Sequence, residues 1–563
     1  MTYAPAQAPA RTPEAVAPSA QGPRTYRFAE LGLIAIAVII SAGGYALVGL
    51  GAEDTVPANV YVYTGLLAAL GLGLHVLIWW RAKYADPVIV PIAVLLNGIG
   101  LAMIYRIDLA TDSSTANSQL IWMTLGTILA GLVVVLLRDH RLLRRFTYTC
   151  GFAALFLLLL PLIPGLGTTI NGARIWIHLG PFSFQPGEIA KILLAVFFAG
   201  YLVSFRDQLV LAGPKILGIR FPRLRDLGPI IIAWVASVGI LVFQRDLGTS
   251  LLFFGLFVAM LYVATGKKTW IFLGLGMFAA GAVVAAQIFS HVQQRIDGWL
   301  GALTREEFEK TPGGSYQLVQ GLFGMASGGL TGTGLGEGRP NVVPYAESDF
   351  IYASLGEELG MVGLFAILLL YVILFQRGMK IAASVRDGFG TLLTVGLTFT
   401  IALQCFIVIG GVTRLIPLTG LTTPFLAAGG SSLIGSWIII GLLLRISDNA
   451  RRPAEEFQTG VLTVLHDPAE SVRSSTRRLR DAEVRTPAAR RDPGAGDPAT
   501  ESGGDPDPEA EVPTTVHPAA PDPEADIATS AHVVRGDDAT GGSASAAGPA
   551  GDPTDGATGG ERR

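Results

Sequence analysis

Glu188 and Lys191 stand three positions apart at the start of an apolar run, a spacing that puts opposite charges on one helical face. Asp246 sits in the short polar turn QRDLGTS (244–250) between two apolar stretches, and Asp349, Glu357 and Glu358 open another. Carboxylates in such places can take up a proton, cap a helix or pair with a cation. The cations on the same side of the chain are few: Arg174, Lys191, Arg245, Arg295, Arg305, Lys310, Arg339 and Arg414. A charge next to lipid is costly, so each needs a partner, either an internal carboxylate or an anionic ligand. Taken singly, Asp246 and Glu358 fit a structural ion pair or a helix-start carboxylate. As a set, these groups point to a polar cavity.

The elements that position them are helices in a membrane. About twelve stretches, from 28–50 through 229–243 to 425–445, approach the roughly 20 apolar residues that cross a bilayer. Helices satisfy their own backbone groups there, so the expectation is an all-α, polytopic integral membrane bundle over 28–446. Lys and Arg gather in alternate loops (Arg81 and Lys83; Arg138, Arg141, Arg144 and Arg145; Lys267 and Lys268; Arg377, Lys380 and Arg386), which reads as the cytoplasmic side. Both termini are then cytoplasmic, and the polar segments 164–191, 244–250 and 291–349 face out.

The net charge of −3 averages a basic membrane face with a polar tail and identifies no partner. No nucleic-acid signature occurs. Residues 1–27 lack a cleavable signal pattern, and 447–563, rich in Pro, Ala, Gly and Asp, cannot bury a core; both are expected to be disordered and cytoplasmic. Cys150 and Cys405 fall inside apolar helices, which argues against a disulfide. The long segment 291–349 has no obvious secondary structure, and its glycine-rich part GGLTGTGLGEGRP (328–340) suggests tight backbone turns. It is no Walker A loop, because no GK[ST] follows, and no HExxH or CxxC metal spacing occurs.

NGARIWIHLGPFSFQPGEIAK (171–191), QRDLGTS (244–250), SYQLVQGLFGMASGGLTGTGLG (315–336), ESDFIYASLGEELG (347–360) and IPLTGLTTPFLAAGGSS (416–432) together resemble the SEDS family of bacterial cell-wall polymerases. The resemblance runs from about 88 to 446. It implies a peptidoglycan glycosyltransferase that polymerises lipid II at the outer face of the plasma membrane, in cell elongation, shape control or division. The acceptor's sugar hydroxyl attacks the donor's anomeric carbon, and undecaprenyl pyrophosphate leaves. The resemblance also implies a class B penicillin-binding protein, a transpeptidase, as partner. A divalent cation, Mg or Mn, beside the pyrophosphate is a weaker implication drawn from the substrate. Arg174 and Lys191 are then phosphate ligands, with Glu188, Asp246, Asp349, Glu357, Glu358 and Ser431 lining the substrate cavity.

Three departures from the family pattern matter. The family's catalytic Asp lies six residues before a Tyr, here Tyr316, and that position holds Lys310. Glu309, then Glu307, are the nearest carboxylates to take its role, with Glu306 and Asp297 close by. REEFEK is equally a solvated charge cluster. Ala428 replaces a Tyr before the paired glycines, and the two spans within 28–80 exceed the family's usual ten and should pack at the periphery. Two other readings remain open: a lipid flippase or transporter, for which many spans with internal charges also suffice, and a non-catalytic scaffold for a transpeptidase.

Overall fold

The computed structural model describes residues 25–170, 172–180, 182–211, 215–216, 219–220, 224–310 and 314–453. The segments expected to be disordered, 1–27 and 447–563, lie almost wholly outside them; Arg27 opens the first helix and the last helix continues past 446 to Arg451.

The helices are α1 (Arg27–Glu53), α2 (Val60–Arg81), α3 (Ile89–Thr111), α4 (Thr115–Leu136), α5 (Thr147–Leu159), α6 (Gly187–Leu211), α7 (Leu224–Phe243), α8 (Leu247–Thr265), α9 (Thr269–Ile288), α10 (Ser290–Leu300), α11 (Arg305–Glu309), α12 (Tyr316–Gly328), α13 (Ile351–Ser384), α14 (Gly388–Val412) and α15 (Gly430–Arg451). Among the described residues, 11 helices are long and apolar enough to cross a membrane. The remaining expected stretch, 229–243, lies in α7.

The interior is built from α15, α3, α6 and α14, whose apolar cores are 89%, 83%, 72% and 72% buried, whereas α9 buries 6%. Close approach of α15 to α4 depends on small residues. A Cβ on Gly126 would stand 2.8 Å from the Trp437 ring, and one on Gly441 2.8 Å from the Ala130 carbonyl oxygen. In a membrane this packing and internal polar contacts, rather than water exclusion, hold helices together. Helices α1 and α2 bury only 28% and 33% and keep large apolar side chains such as Ile39 and Trp80 exposed. The end of α1 nevertheless reaches the glycine-rich segment: a Cβ on Gly51 would overlap the Leu335 carbonyl oxygen.

Two features depart from the expectation. Residues 164–186 contain a small antiparallel sheet, β1 (Gly167–Ile170), β2 (Ala173–Leu179) and β3 (Phe182–Phe184), in that spatial order, with Thr168 opposite Trp176 and His178 opposite Ser183. The segment 291–349 is not an unstructured loop, since it holds most of α10 and all of α11 and α12. The tight turns expected in its glycine-rich part are present, with φ of 86° at Gly332, 110° at Gly334 and 90° at Gly336.

Candidate functional site

Lys191, one turn into α6, is only 2% exposed. Its amine pairs with Glu188 on the same helix and donates to Gln404 Oε1 of α14 at 2.9 Å. Removing one partner of such a buried pair costs about 3–5 kcal/mol. Gln404 in turn donates to the Thr422 carbonyl at 2.9 Å and to Ser432 Oγ at 3.3 Å, tying α14 to the 413–429 loop and to α15. Gly435 leaves the room: a Cβ there would stand 3.3 Å from Glu188 Oε2 and 3.6 Å from Lys191 Cε.

The adjoining polar groups extend from this pair. Ser431, at the start of α15, accepts from the Gln185 amide at 2.9 Å, and the Gln185 side chain donates to Asp246 Oδ2 at 3.4 Å. Asp246 caps α8 by accepting from the Thr249 amide at 2.9 Å. Burial pushes its carboxyl up, that cap and the Arg295 charge pull it down, and Glu188 adds to the upward push. Arg295, on α10, donates to the Leu418 carbonyl at 2.7 Å, and the charges of both Asp246 and Asp349 act on it. Desolvation pushes the Asp349 carboxyl up to about 7, against its own amide hydrogen bond and the Arg295 guanidinium. The structure therefore gathers Glu188, Lys191, Asp246, Asp349 and Ser431 with Arg295 at one end of the bundle.

Arg174 stands on β2, whose amide at 174 donates to the Gln244 carbonyl at 3.1 Å, beside the turn that carries Asp246. Its guanidinium donates to the Ile163 carbonyl at 3.2 Å. Burial, with the Arg245 and Arg295 charges, pushes the His291 imidazole down, and its Nε2 lacks a hydrogen-bond partner among the described residues.

Glu357 and Glu358 do a different job. Glu358 accepts from Arg106 of α3 at 2.9 Å and from the Gly336 amide at 3.0 Å, while Glu357 accepts from the Arg339 amide at 2.8 Å. Arg106 also donates to the Gly338 carbonyl at 2.6 Å. These carboxylates thus hold the glycine-rich segment onto α13.

The loop carboxylates separate clearly. Glu309 pairs with Arg305 at 2.7 Å with both side chains exposed, 60% and 88%. Glu307 is 15% exposed, bonds Lys310 at 2.9 Å, and keeps Oε2 buried without a partner among the described residues. The Glu307 carboxylate holds the Lys310 amine above its ordinary value, with Asp297 adding to it. Lys310, at the position six before Tyr316, thus brings a carboxylate there through the turn of α11.

Among the described residues, no group of three or more His, Cys, Asp or Glu side chains could hold a metal ion. Sequence reasoning missed Gln185, Gln404, His291 and Arg106. Gln404 and Arg106 lie in apolar helices, where a lone polar residue was the available signal.

A many-helix membrane protein with paired charges and raised carboxyls gathered at one end is the class that this fold and site define. Residues 87–452 match the family model FtsW/RodA/SpoVE, described as cell cycle protein, and the chain belongs to that family. It is 47% identical over 436 residues to the peptidoglycan glycosyltransferase RodA of Mycobacterium tuberculosis, covering 76% of this chain and 92% of that one. Stage V sporulation protein E of Bacillus subtilis is 35% identical over 376 residues, covering 65% and 98%. A chain of a solved structure described as "Structural coordination of polymerization and crosslinking by a peptidoglycan synthase complex" superposes with a TM-score of 0.51 at 26% identity, over 66% of this chain and 99% of that one.

Proposed function

We propose that the chain is a peptidoglycan glycosyltransferase that polymerises lipid II at the outer face of the cytoplasmic membrane, with both of its termini in the cytoplasm. Relatives 47% and 44% identical over most of the chain carry that enzyme name. The observation that carries the reading for this chain is the joined set Lys191, Glu188, Asp246, Arg295 and Asp349 at the bundle end opposite the basic loops. Lys191, Arg295 and Arg174 supply positive charge for a diphosphate, and Arg offers it in a two-pronged form. A divalent cation there would depend on the substrate's own oxygens.

Glu307, rather than Glu309, is the carboxylate to which this reading gives the acceptor proton. It packs against Gly301 at the end of α10, the helix that also carries Arg295. At the 1.5 Å rise of a helix, positions 295 and 301 are about 9 Å apart, so the base packs at the end of a short helix whose middle carries a diphosphate-binding cation. The sugar hydroxyl loses its proton to Glu307, its oxygen bonds the anomeric carbon, and the bond to the diphosphate breaks as the cations take up the leaving group's charge. A transpeptidase of the class B penicillin-binding type is the proposed partner; the superposable chain comes from a peptidoglycan synthase complex.

Purified chain incubated with labelled lipid II tests this. Glycan strands should form, Glu307→Gln should slow them about a hundredfold or more, and Glu309→Gln should stay within about twofold. Lipid movement without polymer would favour the transporter reading, and neither would favour the scaffold. Polymer formation untouched by Glu307→Gln would remove Glu307 from the mechanism while leaving the activity.

A further inference from the structure

At the opposite end of the bundle, far from the site above, a cavity of about 620 Å³ opens between the start of α1, the 83–88 connection, the end of α13 and the end of α15. Its lining includes four cations, Lys83, Arg377, Lys380 and Arg451, together with Leu33 and Val88. Among the described residues three carboxylates lie nearby, and each is 0% exposed and already engaged. Asp86 binds Arg451 at 2.5 Å and lies 3.8 Å from Arg377. Asp448 accepts from Arg445 at 3.1 Å and Arg452 at 2.8 Å, and Glu30 pairs with Arg27. Asp86 thus takes up part of the charge of Arg451 and Arg377, Lys83 lies over the Tyr84 ring at 4.9 Å, and no carboxylate is among the described residues that line the cavity.

An apolar track continues from the cavity. Leu33, Ile36 and Ile40 on α1 are 38%, 54% and 49% exposed, at a spacing of three and four residues that aligns them along one helix face. A free phosphate would use the cations and ignore the track, and a zwitterionic lipid would use the track and gain little from the cations. We infer that this cavity binds the headgroup of an anionic phospholipid, with the phosphate among Lys83, Arg377 and Lys380 and an acyl chain along α1. Basic pockets between helices at this depth recognise such headgroups by charge.

The test uses the purified full-length chain, stripped of lipid and titrated with phosphatidylglycerol, phosphatidylcholine or inorganic phosphate, with bound lipid counted by native mass spectrometry. Phosphatidylglycerol should be retained at least about tenfold better than phosphatidylcholine. K83Q/K380Q, at two exposed positions, should lose about fivefold per charge removed, since one basic side chain at an anionic surface is worth about that factor. Its melting temperature without lipid should be unchanged, and K268Q, an exposed lysine elsewhere at the same end, should leave the preference intact. Three results would overturn the inference. The two lipids could bind equally; K268Q could weaken binding as much as K83Q/K380Q; or inorganic phosphate could displace phosphatidylglycerol at equal concentration, leaving a free-anion site.

Discussion

The Glu188–Lys191 pair was legible from spacing alone, because neighbours three apart on a helix meet whatever the tertiary fold. Gln404, which completes the pair, was not, since it lies 213 residues away and only packing brings it in. The loop carboxylates show the same limit: composition put Glu307 and Glu309 side by side, and burial separates them. Asp349 has a measurable consequence. Its carboxyl keeps its proton up to about 7 when folded, against an ordinary value of 3.8. Between those values the folded chain binds more protons than the unfolded one, so this group's contribution to stability is full below about pH 4 and lost as pH rises through about 7. Asp349→Asn should flatten that part of the profile and raise the melting temperature by a few degrees at about pH 8, with little change at about pH 4. Differential scanning fluorimetry across that range measures it, and a wild-type slope surviving in the variant would contradict the assignment.

At the scale of elements, α10 and α12 escaped sequence reading for separate reasons. The helix α10 is short and polar, and α12 contains Gly321, Gly324 and Gly328, each of which weakens an isolated helix by about 1 kcal/mol. Tertiary contact explains the glycines: a Cβ on Gly321 would stand 2.6 Å from the Phe350 ring. The glycine-rich segment is held by a break in α13, where Gly360 takes φ 67° and ψ −172°. Around the break the Thr333 and Gly334 amides donate to the Glu357 and Glu358 carbonyls, and the Met361 and Val362 amides donate to those of Gly329 and Leu330. A side chain at 360 meets both a positive φ and the Gly332 amide nitrogen, 2.2 Å from where its Cβ would lie. Gly360→Ala should therefore destabilise the fold by about 2–4 kcal/mol and detach the segment. Lower melting temperature together with faster proteolysis between 328 and 340 would show both effects; a variant as stable as wild type would mean that the segment is held elsewhere.

At the scale of the molecule, hydropathy was enough for the membrane bundle because the bilayer imposes one length and one hydrogen-bonding solution on every span. It could not show which helices form the interior, since lipid-facing and buried faces are equally apolar; burial of 83% in α3 against 6% in α9 is a property of packing. The sheet β1–β3 was hidden because its strands are short and separated by tight turns that carry Gly172 and Gly180, both at positive φ. The charge asymmetry was legible, and it makes a prediction about topology that the two native cysteines render clean. Cys150 and Cys405 are buried and unpaired, so a membrane-impermeant maleimide should leave the unmodified chain unlabelled. Val56 lies in the α1–α2 connection at one end and is 52% exposed, and Arg144 is exposed at the other end, among the basic residues that follow α4. Val56→Cys should react in intact cells, whereas Arg144→Cys should react only after the membrane is opened, because basic connections remain inside. The reverse pattern would put the Lys191–Asp246–Arg295 cluster on the cytoplasmic side, where polymerisation of a lipid-linked sugar at the outer surface could not take place.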